Sequence, residues 1–345
     1  MMKKALAMLV VMTMGFSALT ACGSNKAADN STTDTTESKA ANDNAEKEED
    51  VKESDSASGS DETIALFMTH MSNEFTITLS GAVEAEVEAR GYKYSVYDAG
   101  QDVATQVDQI EQAITLGVKG IIIEPVSVDG VVPAVRAAKE EGVAVVIVNQ
   151  KISDPSAADC YVGADAATTG EILMKKAAED IGGKGNVAFL LGPMGSDGQV
   201  GRSEGFENVL KDYPDINVVF QDTAEWQTEP ALTITENWLN SGKEIDAIVS
   251  QNDGMAVGAA KAVADAKLDD RVKVYGIDAT SEGLQAVLDG KLAATVSQGT
   301  ENQGKLSADA CADLLEGIEV KAETIVDNVT YTKDNAQEAL DAIKK

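Results

Sequence analysis

A single histidine, His70, is all the imidazole this 345-residue chain carries. No Ser-His-Asp or Cys-His arrangement can be built around it, and its loop setting in "THMSNEF" favours a solvated side chain over one lining a pocket. Cysteine is nearly as scarce, at three. Cys160 in "DCYVGAD" and Cys311 in "SADACADLLEG" lie far apart, without CxxC spacing. They read as small buried hydrophobes, with a disulfide between them left open. No histidine, cysteine and carboxylate cluster has metal-ligand spacing. No GxxxxGK[ST] or GxGxxG follows a strand, and the glycine-rich "GGKG" at 182–185 reads as a turn. These absences argue against an enzyme and predict no cofactor and no metal.

Positive charge is also lacking. Lys and Arg number 28 against 58 Asp and Glu, a net charge of −30. A nucleic-acid partner would want a basic face, so that class is excluded. Solubility of an exported acidic protein accounts for the excess.

What is present begins at the N-terminus, "MMKKALAMLVVMTMGFSALTAC". Two lysines, a short apolar run and small residues make residues 1–21 a secretory signal peptide. The run is too short for the ~20 apolar residues that span a bilayer. "LTAC" resembles the lipobox of bacterial lipoproteins, which implies lipidation at Cys22, an anchor and not a span. Residues 23–62 hold 12 acids, 4 lysines and no aromatic residue. With Cys22 they form a disordered acidic tether over 22–62, because so little apolar area cannot offset the entropy of folding. The expected place is outside the cell, held by lipid on the outer face of the membrane.

Beyond residue 62 strand and helix patterns alternate. Apolar β runs fall at 63–69, 93–98, 118–125, 143–150 and 160–165, then at 186–192, 217–222, 246–251, 273–278 and 293–298. Helix-length stretches between them often stop at glycine. This predicts parallel sheets covered by helices on both faces. Ten strands in about 280 residues suit two α/β lobes better than one.

Ligands of open α/β sheets bind beyond the carboxyl ends of the strands. Nearly every strand here ends on an amide, a carboxylate or an aromatic ring, from both halves of the chain. Carboxylates accept from hydroxyls and carboxamides do both, while Phe and Trp faces pack on the C–H face of a sugar ring. Phe75 and Trp226 stand out where aromatics are 4% of residues. The pattern predicts a neutral, hydroxyl-rich ligand clamped between the lobes. In "DAIVSQNDGMAVGAA" the trio after the strand divides: Asn252 faces the ligand, and Gln251 and Asp253 shape the turn and cap the next helix.

"TIALFMTHMSNEFTITLSGAVEAEVEARGY", "IIIEPVSVDGVVPAVRAAKEEGVAVVIVN", "QNDGMAVGAAKAV", "VYGIDAT" and "DGKLAATVSQ" occur in this order. Over essentially all of residues 62–330 the chain resembles the ribose/galactose-type periplasmic substrate-binding proteins of sugar ABC transporters. The resemblance implies the Venus-flytrap fold (periplasmic binding protein type I): two Rossmann-like lobes joined by a three-crossing hinge. Lobe limits would be 63–164 plus 299–327, and 165–298 plus 328–345. It also implies roles. Thr69 is a small polar residue of the wall, Asn73 a hydrogen-bonder and Phe75 a stacking ring. Asn149, Asn252 and Gln298 are further polar contacts, Trp226 the second stacking ring, and Asp278 the carboxylate for paired hydroxyls. Gln150 stands where the family often has arginine, Thr76 where it often has a second aromatic, and Arg202 is the nearest candidate for the second lobe's arginine. These departures argue against ribose specificity and lean towards cyclic polyols such as inositol. A monomer delivering a sugar or polyol to an ABC permease is the implied role. A sensor presenting such a ligand to a membrane receptor is the alternative. A transcriptional repressor of related fold would need a DNA-binding headpiece where the signal and tether lie.

Overall fold

The computed structural model describes residues 62–343. The expected signal peptide, Cys22 and all but the last residue of the tether lie outside the described residues. Among these, no helix is long and apolar enough to cross a membrane.

Among the described residues, twelve strands and ten α-helices alternate. The first sheet is built from β1 (Thr63–Met68), β2 (Lys93–Asp98), β3 (Gly120–Ile123), β4 (Ala144–Val148) and β5 (Cys160–Gly163). The second comes from β6 (Lys184–Leu191), β7 (Asp215–Thr223), β8 (Ala247–Ser250), β9 (Lys273–Ile277) and β10 (Ala294–Ser297). Two short strands, β11 (Glu323–Ile325) and β12 (Val329–Tyr331), complete them. The orders are β11-β5-β4-β3-β1-β2 and β12-β10-β9-β8-β6-β7. All pairings are parallel except β10 with β12. The two sheets thus repeat one order, with β1 equivalent to β6 and β4 to β9.

The ten expected strands are all present. β11 and β12 are the additions: each is three residues long, at a sheet edge and without a fully buried residue. Such strands carry no apolar run, so hydropathy alone does not mark them.

Helices α1 (Glu74–Ala89), α2 (Val103–Thr115) and α3 (Val132–Glu140) belong to the first sheet. The second has α4 (Ala166–Asp180), α5 (Asp197–Leu210), α6 (Thr228–Asn240), α7 (Asp253–Asp265) and α8 (Ser281–Leu288). After β10 the chain returns to the first lobe as α9 (Thr300–Leu315) and ends in the second as α10 (Ala336–Ile343). It therefore crosses between lobes after β5, after β10 and after β11.

Each sheet is buried on both faces, which explains why the central strands are apolar throughout and not alternating. In the first lobe, Leu79 and Val83 of α1 and Ala308 of α9 pack with Ile64, Leu66 and Val146 on one face. Ile110 of α2 and Val135 of α3 pack with Phe67 and Ile121 on the other. The second lobe repeats this around Phe189 and Tyr275 on one side and Ile248 and Val274 on the other. Cys160 and Cys311 are both free thiols buried in one core. Burial pushes both thiols up, to about 12 for Cys160.

Helix contact within the second lobe is unusually close where it matters for the site. A Cβ on Gly205 of α5 would lie 2.2 Å from the Ala167 carbonyl of α4. One on Gly170 would lie 2.5 Å from the carbonyl of Arg202. Glycine at this crossing lets α5 seat against α4 and sets the height at which Arg202 leaves the helix.

Candidate ligand-binding site

Parallel strands end at one edge of a sheet, and here the two edges face each other. Thr69 and His70 follow β1, Glu124 follows β3, and Asn149 and Gln150 follow β4. From the second sheet Trp226 lies in the loop after β7, Asn252 after β8, Asp278 after β9 and Gln298 after β10. Arg202 reaches in from α5, and Phe75 from the first turn of α1. All ten expected ligand-contacting residues line one cavity: Thr69, Asn73, Phe75, Asn149, Gln150, Arg202, Trp226, Asn252, Asp278 and Gln298. The enclosed space is only about 40 Å³. At His70, Asn73, Phe75 and Trp226 it adjoins a cleft of about 520 Å³. The enclosed space alone is smaller than a sugar-sized ligand needs.

Three of these residues hold backbone conformations that L-residues rarely adopt: φ is 62° at Asn149, 63° at Trp226 and 120° at Asp278. Such strain clusters at binding sites, where aiming a side chain outweighs local cost. Trp226 also needs space. A Cβ on Gly192 would lie 2.1 Å from its ring, so the end of β6 must be glycine for the indole to reach the cavity.

On the first lobe the polar wall is a closed hydrogen-bond chain. Glu124, 2% exposed, accepts from the Thr69 amide (3.2 Å), the Thr69 hydroxyl (2.7 Å) and Asn149 Nδ2 (2.6 Å). Because the Thr69 hydroxyl donates to Glu124, it accepts from His70 Nδ1 at 3.0 Å. His70 is then the Nδ1–H tautomer, and its Nε2 accepts from Asn73 Nδ2 at 2.9 Å. Asn73 Oδ1 accepts from the Thr76 amide at 3.0 Å and caps α1.

Two expectations are corrected here. His70 is not solvated: it is 6% exposed and bonded at both ring nitrogens. The short loop between β1 and α1 turns it inward, which loop composition alone does not reveal. The cap on α7 belongs to Asn252, not to Gln251 or Asp253. Asn252 has the extended backbone an N-cap needs (φ −152°, ψ 169°) and accepts from the Met255 amide at 2.9 Å. It still lines the cavity. Gln251 instead accepts from Gly192 N and donates to Gln199 O and Ser203 Oγ. Asp253 accepts from the Thr280 amide and the Thr295 hydroxyl. Both tie loops together behind the wall.

Glu124 was missed in the sequence. The signal that could have found it is the strand-end rule itself: in "IIIEP" an acid follows three buried isoleucines directly.

The second lobe's wall is charged. The Arg202 guanidinium is 5% exposed, donates Nη1 to the Gln251 carbonyl and lies 5.4 Å from the Trp226 ring. Burial pushes Arg202 down, against the pull of Asp278 and Asp197. Its Nε, and Oε1 of Gln150 opposite, have no partner among the described residues. A buried orphan of each kind at one cavity is what a polar ligand would satisfy. Asp278 accepts from Gln298 Nε2 at 2.8 Å. Burial pushes Asp278 up to about 7, although Arg202 and the Gln298 bond pull the other way. Burial and the charge of Asp278 likewise raise Asp253.

Among the described residues no group of three or more His, Cys, Asp or Glu could hold a metal ion. What the cavity offers is hydrogen-bond acceptors on both walls, one buried cation and two rings.

The periplasmic binding protein domain model matches residues 64–319. A xylitol-binding protein of Mycolicibacterium smegmatis is 35% identical over 294 residues, covering 84% of this chain and 82% of that protein. The ribose import binding protein of Bacillus subtilis is 31% identical, covering 79% and 87%. Among solved structures, an ABC transporter solute-binding protein of Bacillus halodurans with bound myo-inositol superposes with a TM-score of 0.79 at 30% identity. It covers 83% of this chain and 99% of that one. With its two equivalent sheets, three crossings and a polar cavity between facing strand ends, the chain belongs to the periplasmic binding protein family.

Proposed function

We propose that this protein is an extracytoplasmic solute receptor that captures a monosaccharide or cyclic polyol between its lobes and hands it to an ABC transporter permease. The observation that carries this reading is the cavity's composition. Carboxylates from both lobes, Glu124 and Asp278, face it together with Phe75 and Trp226. Hydroxyl hydrogens fit the acceptors, and a ring's C–H face fits the aromatics. The relatives named for xylitol and ribose, and the fold neighbour holding myo-inositol, support the same class.

Ligand drives closure because it touches both lobes only when they are closed. The moving units are 63–164 with 299–327, and 165–298 with 328–345. The permease reads the closed shape of a monomer. Cys22, lipidated after removal of residues 1–21, holds the receptor at the outer face of the membrane, and the acidic segment gives it reach.

A thermal-shift and calorimetric panel of myo-inositol, D-ribose, D-allose and xylitol tests the reading. A ligand at 100 times its Kd adds about 2.7 kcal/mol of stability. A shift with at least one of these sugars or polyols, of 1:1 stoichiometry, is expected. No response to any of them, with binding of a non-hydroxylated solute instead, overturns it.

A further inference from the structure

The repeated strand order makes a second relationship visible, between residues outside the lining of the enclosed cavity, although Glu74 lines the adjoining cleft. Glu74 is the first residue of α1, the helix after β1. Its carboxylate reaches across the cleft and accepts from the Ser281 amide at 2.6 Å and the Ser281 hydroxyl at 2.9 Å. Ser281 opens α8, after β9. Asp197 is the first residue of α5, the helix after β6. Its carboxylate reaches the other way and accepts from the Lys151 amide at 3.0 Å, just after β4. Since β6 is equivalent to β1 and β9 to β4, the two contacts are the same contact made twice, once in each direction. In both, an acid at the first position of the helix that follows a lobe's first strand takes a backbone N–H that follows the fourth strand of the other lobe.

We propose that Glu74 and Asp197 are a pseudo-symmetric pair of interlobe clasps that hold a closed population of the protein in the absence of ligand. They form only when the lobes meet, so their free energy counts only in the closed state and shifts the equilibrium towards it. Charge-assisted bonds to backbone N–H groups are the strong kind. At Ser281 the accepted N–H is one of the four a helix N-terminus leaves unpaired, where negative charge is favoured. The pair tunes how tightly any ligand is held without choosing which ligand enters. In this the inference rests on the solute-receptor reading.

Spin labels at Val96→Cys and Val218→Cys test it by distance measurement, with Cys22→Ser in the full chain. Both positions are 43% exposed, on β2 and β7 at equivalent edges of the two sheets. Cys160 and Cys311 are buried and do not take label. Without ligand, the short-distance population should shrink in Glu74→Gln/Asp197→Asn relative to the parent. An unchanged distribution overturns the proposal. Ser281→Pro is the second variant: it removes the amide and hydroxyl donors while keeping a residue that helix starts favour. It should act in the same direction as Glu74→Gln, and failure to do so also overturns the proposal. Titration with myo-inositol and D-allose gives the other readout. The double variant should weaken each ligand that binds by one common factor, roughly tenfold. A factor that differs between ligands would make these residues ligand contacts and overturn the clasp. If neither ligand binds, the receptor reading suffers, while the distance distributions still decide the clasp.

Discussion

Gln298 Nε2 donates to Asp278 Oδ1 at 2.8 Å, so the one carboxylate on the second lobe's wall is half satisfied from within its own lobe. A backbone hydrogen bond from Asp253 also acts on this carboxylate. The Gln298 bond also orients Asp278, whose φ of 120° already fixes where the side chain leaves the backbone.

A pH dependence follows from that placement. Burial raises Asp278 to about 7, so between about pH 4 and 7 the empty protein carries a proton there that the unfolded chain has released. By linkage, this residue's contribution to the stability of the ligand-free protein is fully present at the acid end. It falls as pH rises from about 4 towards 7, by at most about 1.4 kcal/mol per pH unit. Ligand binding runs the other way. Hydroxyls donating to the carboxylate favour its ionised form, so binding expels the proton and affinity should rise with pH up to about 7, then level off. Calorimetry in buffers of different ionisation enthalpy should detect the released proton. Asp278→Asn should abolish both the release and most of the affinity, and a pH-independent affinity in the wild type would contradict the assignment.

Glu124→Gln should weaken polyol binding by roughly 10- to 100-fold, the cost of removing a charged acceptor and turning an amide into neighbouring donors. Thr69→Val probes the same chain from its other end. It removes the hydroxyl shared by Glu124 and His70 and should cost less, because Asn149 still holds the carboxylate. Calorimetric affinities for both variants check the order, and Thr69→Val weaker than Glu124→Gln would reverse the proposed importance.

The contrast between Asn149 and Glu124 shows how much of this site the sequence made legible. Both sit at the end of a buried first-lobe strand and bond to each other. Asn149 was found because amides at strand ends fit a hydroxylated ligand and because a family motif covers them. Glu124 was not, since an acid in "IIIEP" resembles a strand simply meeting solvent. The major strands were legible because burial on both faces makes their residues continuously apolar. β11 and β12 were not, since three-residue edge strands carry no such run. His70 and the cap on α7 turn on backbone angles of a single loop residue, which composition does not encode.

Trp226→Ala should weaken binding by about a kcal/mol or more through the lost stacking face. It also strips the Arg202 guanidinium of its ring contact at 5.4 Å. Trp226→Phe should recover part of the loss. The chain has two tryptophans, and Trp238 is buried in the second lobe's core. A ligand-induced change in intrinsic fluorescence should therefore come from Trp226 and vanish in Trp226→Phe. Persistence of the full change in that variant would place the ligand elsewhere.

The last prediction concerns how the scaffold sets the site. Gly205→Ala places a methyl 2.2 Å from the Ala167 carbonyl, a contact that no rotamer relieves because the Cβ itself is at fault. Overpacking of this kind costs about 1–3 kcal/mol, and the thermal midpoint should fall by several degrees. Separation of α5 from α4 would also move Arg202, which leaves α5 one turn earlier and has its own backbone against Gly170. Affinity should then fall together with stability. Gly195→Ala is the control, because its Cβ would meet nothing within 4 Å, although its φ of +85° carries a local strain cost. That variant should lose stability through the turn alone. If Gly205→Ala destabilised the protein but left polyol affinity untouched, the α4–α5 crossing would be a packing feature with no part in aiming Arg202.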